Sequence, residues 1–234
     1  MTISRAQLAL RFPALRPCTF ETFECGGNGE LVERLRDTAT ERFTVVWVFG
    51  ASGSGKSHLL QAACAATSRA GRLAAYLSAV TRRAGADVLD GLDAYDRVAI
   101  DDFDGWLGDA GIESALLALY QALAARQRSL VIATQAGPTS TVFALPDLAS
   151  RLRAAEVHRL LPLDDDARER LIDRLARSRG LNAGPEVIRY LMRWGPRGSG
   201  DLCALMDRID VASLAAQRAL TVPLVREVLQ RVEP

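Results

Sequence analysis

Lysine is all but missing from this chain. Of 29 lysines and arginines in 234 residues, a single lysine stands at position 56 and every other cation is arginine. There is no dense basic run either, and the formal net charge is +1. Duplex DNA binding needs several clustered cations to neutralise phosphates, so direct DNA binding is disfavoured and DNA is expected as an indirect partner only. Cysteine and histidine are also scarce. Cys18, Cys25, Cys64 and Cys203 form no C-x-x-C pair, and His58 and His158 are the only histidines. That argues against a zinc site and for reduced thiols. No apolar run approaches the ~20 residues that span a bilayer. The start of the chain lacks the basic residues and apolar core of a signal peptide. A cytoplasmic protein without membrane contact is expected.

What is present is a large apolar fraction, 49%, against 24% charged. A chain of this length and composition can bury the core of one α/β domain with a small appended unit. Residues 1–19 carry no helical or strand period and are broken by Pro13 and Pro17. Residues 19–23 read as a short extended segment. A helix is predicted over 30–41, where Leu31, Val32, Leu35 and Ala39 recur at helical spacing. Strands are predicted at 43–49, 73–77, 97–101, 129–134 and 156–160. Helices are predicted between them at 58–70, 111–127 and 146–154, with a weaker one at 81–91. The 43–49 stretch is apolar on both faces, as in a strand covered by helices on each side. This alternation predicts a five-stranded parallel sheet between helical layers. After Pro162 only helices follow, at 164–179, 185–194, 200–217 and 223–232, the last capped by Thr221 with Pro223 in its first turn. The organisation expected is a tail (1–18), an α/β domain (19–162) and an all-α lid (163–234).

The lone lysine belongs to a motif. Gly50-Ala51-Ser52-Gly53-Ser54-Gly55-Lys56-Ser57 fits G-x-x-x-x-G-K-[ST] in full and lies between a predicted strand and a predicted helix. The glycines let backbone N–H groups curl around a phosphate, Lys56 can reach the β- and γ-phosphates, and the Ser57 hydroxyl can ligate Mg²⁺. Gly50, Gly53, Ser54, Gly55, Lys56, Ser57 and the following His58 are therefore candidate contacts for ADP or ATP. Asp101 and Asp102 close an apolar strand, where one acid can hold Mg²⁺ and the next orient a water. The second is Asp102 rather than the longer Glu, which predicts weak intrinsic hydrolysis at most. Thr134 and Gln135 end the next strand and can offer a polar group to the γ-phosphate. Neither histidine has an acid at catalytic spacing, and Trp47 and Trp194 read as packing residues. Arg151 falls late on a short helix near the domain edge; from composition alone it is a solvated surface arginine. Gln7-Leu8-Ala9-Leu10-Arg11-Phe12 alternates polar and apolar residues, as an edge strand or a linear binding peptide does.

With these pieces in place the chain resembles the DnaA family of bacterial replication initiators, within the AAA+ ATPases, and among them the Hda-like inactivators. The similarity covers nearly the whole chain; its most specific stretches are 145–152 (LPDLASRL) and 212–228 (ASLAAQRALTVPLVREV). Initiators of the family continue into a DNA-binding domain after the lid. The end at Pro234 therefore favours the inactivators. The resemblance implies an N-terminal peptide that binds the polymerase sliding clamp through Gln7, Leu8, Leu10 and Phe12, with Arg11 where Pro is usual. It implies an arginine finger at Arg151 and DnaA as partner. Two positions depart from the family. Gly200 stands where a nucleotide-sensing lid arginine is usual, with Arg197 three residues away, and Gln135 replaces a usual acid. Both losses point to a nucleotide, ADP above all, that sets conformation more than it fuels work. The expected function is negative regulation of replication initiation, by clamp binding and promotion of hydrolysis of the ATP held by DnaA. Homo-oligomerisation stays open. The alternatives are an autonomous ATPase of the helicase-loader or transposition-helper type, or a nucleotide-dependent binding adaptor.

Overall fold

A computed structural model describes residues 18–37, 42–83 and 85–230 of the chain. Five strands, β1 (Thr44–Phe49), β2 (Ala74–Leu77), β3 (Arg97–Ile100), β4 (Ser129–Thr134) and β5 (Glu156–Arg159), form one sheet in the order β2-β3-β4-β1-β5. Every pairing is parallel, with Thr44 opposite Ser129 and Ala74 opposite Arg97.

The period of two decides which helix covers which face. Val46, Val48, Ala99, Val131 and Ala133 turn to one side, against α1 (Gly29–Arg36) and α2 (Lys56–Arg69). Val45, Trp47, Val98, Ile100, Leu130 and Ile132 turn to the other, against α4 (Ala110–Ala125) and α5 (Pro146–Arg153). Ala99 and Ala133 are the small residues of the central strands, and they let α2 approach the sheet closely. Residues before each helix supply local caps. Asp109 accepts hydrogen bonds from the N–H groups of Gly111 and Ile112 at 2.8 and 3.0 Å, and α5 begins with Pro146 in its first turn.

The lid helices α6 (Asp165–Arg177), α7 (Pro185–Trp194), α8 (Ser199–Ala216) and α9 (Val222–Gln230) close around a core of their own, with Ile172, Leu191, Leu202, Met206 and Val225 fully buried. The Arg168 guanidinium, on α6, donates to the carbonyls of Leu191, Gly195 and Pro196 and so fixes the turn between α7 and α8. Among the described residues no helix is long and apolar enough to cross a membrane.

Several expectations change. Residues 19–23 are not extended but turn, with the Thr22 N–H donating to the Thr19 carbonyl at 3.2 Å. The first helix ends at Arg36 because buried Arg97 binds the carbonyls of Leu35 and Asp37, which would otherwise serve later turns. The weak helix at 81–91 is a single turn, α3 (Ala79–Arg82), followed by two 3-10 turns that start after Gly85 and Gly91, both at positive φ. Trp194 is not packed. It ends α7 beyond the lid core, 59% exposed, with the Arg193 guanidinium over its ring.

Candidate functional site

The loop after β1 bends back over the sheet edge before α2 begins. The Gly50 N–H donates to the Thr134 carbonyl at 3.2 Å, which ties the loop to the end of β4. Gly55 is the last residue before α2 and holds φ +105°, a conformation side chains resist; a Cβ there would also meet the Phe23 ring at 3.0 Å. The loop therefore needs glycine for both its backbone angle and its neighbour. Lys56 is buried and donates to the carbonyls of Gly50 and Ala51 at 2.7 and 2.9 Å. Burial pushes its pKa down, while Asp101, Asp102 and Asp104 hold it up. The Ser54 hydroxyl is buried with no hydrogen-bond partner among the described residues. A buried cation and an orphaned donor beside the N-terminus of a 14-residue helix fit an anionic phosphate group.

Above the loop lies a cleft of about 290 Å³. Gly53, Gly55, Lys56, Ser57 and His58 line it, and so do Asp102 and Gln135. Gly50 and Ser54 shape the loop from behind rather than facing the cleft. The His58 Nε2 lies 2.8 Å from the Thr19 carbonyl and its ring packs on Phe23. Burial lowers its pKa.

Asp101 and Asp102 are adjacent but unlike. Asp101 is buried, and both its oxygens are held: Oδ1 accepts from the Asp102 N–H at 3.0 Å and Oδ2 from the Tyr76 hydroxyl at 2.7 Å. Asp102 is exposed, at φ 45°, and its pKa is raised first by partial burial and then by Asp101. Tyr76 had no place in the reading of the sequence. Its only signal there is a phenol in an otherwise apolar strand, and burial together with the bond to Asp101 pushes its pKa up.

Thr134 does not face the cleft. It is fully buried, accepts from the Trp47 indole N–H at 2.7 Å and donates to the Ala136 carbonyl. Gln135 alone of the pair reaches the site, its own N–H tied to Asp104 at 2.7 Å. His158, read as unpaired, lies 2.8 Å from Glu156 on the same face of β5, at the register of Val48 on β1.

The lid closes directly on the loop. The Gly200 N–H and the Ser199 hydroxyl donate to the Gly53 carbonyl at 2.8 and 3.1 Å. Gly200 lines the cleft, and a Cβ on it would sit 3.4 Å from Gly53. The Arg197 side chain is 85% exposed and meets Asp165 at 3.9 Å. Arg151 lies outside the cleft of its own chain, on α5, with Asp147 at 3.3 Å and the Tyr120 ring beneath it. Gln7, Leu8, Leu10 and Phe12 lie outside the described residues.

A five-stranded parallel sheet, a phosphate loop between β1 and α2, an acid pair after β3 and an all-α lid resting on the loop define an AAA+ module. Residues 164–229 match the family model for the Hda lid domain, and residues 46–133 match one described as RNA helicase. The structure superposes on domain III of the Thermotoga maritima replication initiation protein DnaA with a TM-score of 0.81 at 19% identity, covering 95% of this chain and 100% of that one. AMPPCP-bound DnaA from Aquifex aeolicus gives 0.70 at 20% identity, over 86% of this chain and 67% of that one. The Thermotoga maritima RuvB Holliday junction branch migration motor gives 0.64 at 14% identity, over 87% and 69%. The fold is that of DnaA domain III, an AAA+-type α/β fold with a lid, and the lid itself matches the lid domain of Hda.

Proposed function

We propose that this protein is a nucleotide-dependent negative regulator of replication initiation that acts on DnaA. The observation that carries the reading is the Hda-type lid at 164–229, seated through Gly200 on a complete phosphate loop. The nucleotide is ADP or ATP with Mg²⁺. The loop N–H groups and Lys56 would hold its phosphates, and Ser57 and Asp101 its metal. Bound Mg²⁺ would neutralise phosphate charge. Asp102 would orient water in a slow intrinsic hydrolysis. We divide the chain into tail (1–18), AAA+ domain (19–162) and lid (163–234).

Arg151 supports an action in trans. It lies outside its own cleft, and an exposed i,i+4 pair such as Arg151–Asp147 contributes only a few tenths of a kcal/mol. The guanidinium is thus free to exchange Asp147 for the phosphates of a neighbouring DnaA, where its planar fork stabilises transition-state charge. The tail peptide at 7–12 would bring the protein to the sliding clamp on DNA. The test loads DnaA with labelled ATP and adds this protein, clamp and DNA, omitting each in turn. Conversion to ADP is expected only with all three, and is expected to fail with Gln7→Ala or with Leu10→Ala combined with Phe12→Ala. Conversion that is unchanged by the protein refutes the regulatory reading. Fast ATP turnover by the protein alone would assign it instead to the autonomous ATPases.

A further inference from the structure

Tyr120 lies under Arg151, and neither the nucleotide cleft nor its loop includes it. It follows Glu113 on α4 by seven residues, two turns that return a side chain to the same helix face. Glu113 accepts from the Leu145 N–H at the start of α5, and Tyr120 meets that helix again near its end. The Arg151 Cζ stands over the Tyr120 ring, 5.8 Å from its centroid. The ring is itself held. The Phe43 ring meets it at 4.9 Å with the two planes at 83°, and the Phe43 N–H donates to Gln127, just past α4, at 2.9 Å.

The two neighbours of the guanidinium act on it differently. Asp147 takes a hydrogen bond, from Nε at 3.3 Å. The aromatic face takes none and attracts the positive charge through its quadrupole. Among the described residues Nη1 and Nη2 of Arg151 make no hydrogen bond. They belong to the fork that meets two phosphate oxygens. A ring beneath the guanidinium therefore aims it without occupying that fork, and the contact survives the exchange of Asp147 for phosphate.

We infer that Tyr120 is a positioning residue for Arg151, holding the guanidinium over its ring so that the terminal nitrogens point off the edge of α5. The inference rests on the trans action of Arg151 proposed above and adds to it a residue from a separate helix. An exposed cation–π contact shifts a population by roughly two- to fivefold.

The test is the rate of DnaA-bound ATP hydrolysis with clamp and DNA, titrated with this protein to saturation. Tyr120→Leu and Tyr120→Met remove the π face and keep an apolar side chain on Phe43; two variants guard against one that folds poorly, and melting curves and ADP binding report the fold. Each should lower the saturating rate by roughly two- to fivefold and leave the half-saturating concentration within about twofold, because aim and not docking is lost. Tyr120→Phe keeps the face and should act as wild type. In an Arg151→Ala background Tyr120→Leu should cost less than about twofold more. A full saturating rate from a folded Tyr120→Leu or Tyr120→Met protein overturns the inference, and so does a Tyr120→Phe protein that falls as far as Tyr120→Leu. An undiminished loss in the Arg151→Ala background shows that Tyr120 acts by another route and overturns it too. Arg151→Ala that stimulates as wild type refutes the trans action itself, and the role of Tyr120 with it.

Discussion

Glu113→Gln is expected to destabilise this protein more than most single-atom changes, and the reason is countable. Glu113 is fully buried on the first turn of α4. Its Oε1 accepts from the N–H groups of Gly108 and Ala144 at 2.8 and 2.9 Å, and its Oε2 from that of Leu145 at 2.7 Å. Leu145 caps α5 without a side-chain hydrogen bond of its own, so this carboxylate supplies the cap from another helix. Glutamine keeps one acceptor oxygen. Its best orientation leaves that oxygen on Gly108 and Ala144 and turns an amide N–H toward the Leu145 N–H. One bond to a charged acceptor, worth about 1.5–3 kcal/mol, is lost, and two fall to the ~1 kcal/mol of neutral bonds. Burying an amide instead of a carboxylate returns part of the difference. The net loss is about 3 kcal/mol, which at about 2–4 °C per kcal/mol lowers Tm by roughly 6–12 °C in a chain of this size. Scanning calorimetry of the wild type, Glu113→Gln and Glu113→Asp measures it; aspartate is too short to reach all three donors and should fall as well. A Glu113→Gln protein that melts within about 2 °C of wild type would refute the reasoning. Because α5 carries Arg151, the same substitution should reduce stimulation of DnaA-bound ATP hydrolysis before it affects nucleotide binding.

Lys56→Ala should weaken ADP about 10- to 100-fold, the worth of a charged hydrogen bond to phosphate, with little change in melting because burial already disfavours the charge that is removed; unchanged ADP affinity in the folded variant would refute the loop assignment. Arg151→Ala should lose at least tenfold of the stimulation of DnaA-bound hydrolysis, given that arginine fingers contribute about 10³–10⁵ in rate, and Arg151→Lys should fail too. Arg153, exposed on the same helix, is the control, and a stimulating Arg151→Ala would end the finger mechanism. His58 gives a pH dependence. Burial holds its folded pKa below the ordinary 6.5, so the unfolded chain takes up the proton first. Its contribution is complete above about pH 6.5 and is lost as the pH falls toward the folded pKa. Melting curves of wild type and His58→Gln should diverge below about pH 6.5, and parallel curves across that range would contradict the assignment.

The sheet and its helices were legible because their signals are local. Alternation at period two places Val46 and Val48 on one face and Val45 and Trp47 on the other whatever lies above them. Proline and glycine mark the ends of α5, α7 and the loops between elements. The turn between β1 and α2 was legible for the same reason: eight consecutive residues carry both its glycines and its lysine. What the tertiary structure decided lies between residues far apart in the chain. Tyr76 meets Asp101 from 25 positions away, Glu113 caps Leu145 from 32, and Ser199 meets Gly53 from 146. Thr134 had a polar side chain at the right strand end, but the Trp47 indole 87 residues earlier claims it for the core. The first helix had apolar residues at helical spacing past Arg36, but the guanidinium of Arg97 takes its last carbonyls. Sequence period fixes which way a side chain points, because backbone geometry repeats. It does not fix which donor a side chain meets there, because that depends on how separate elements pack.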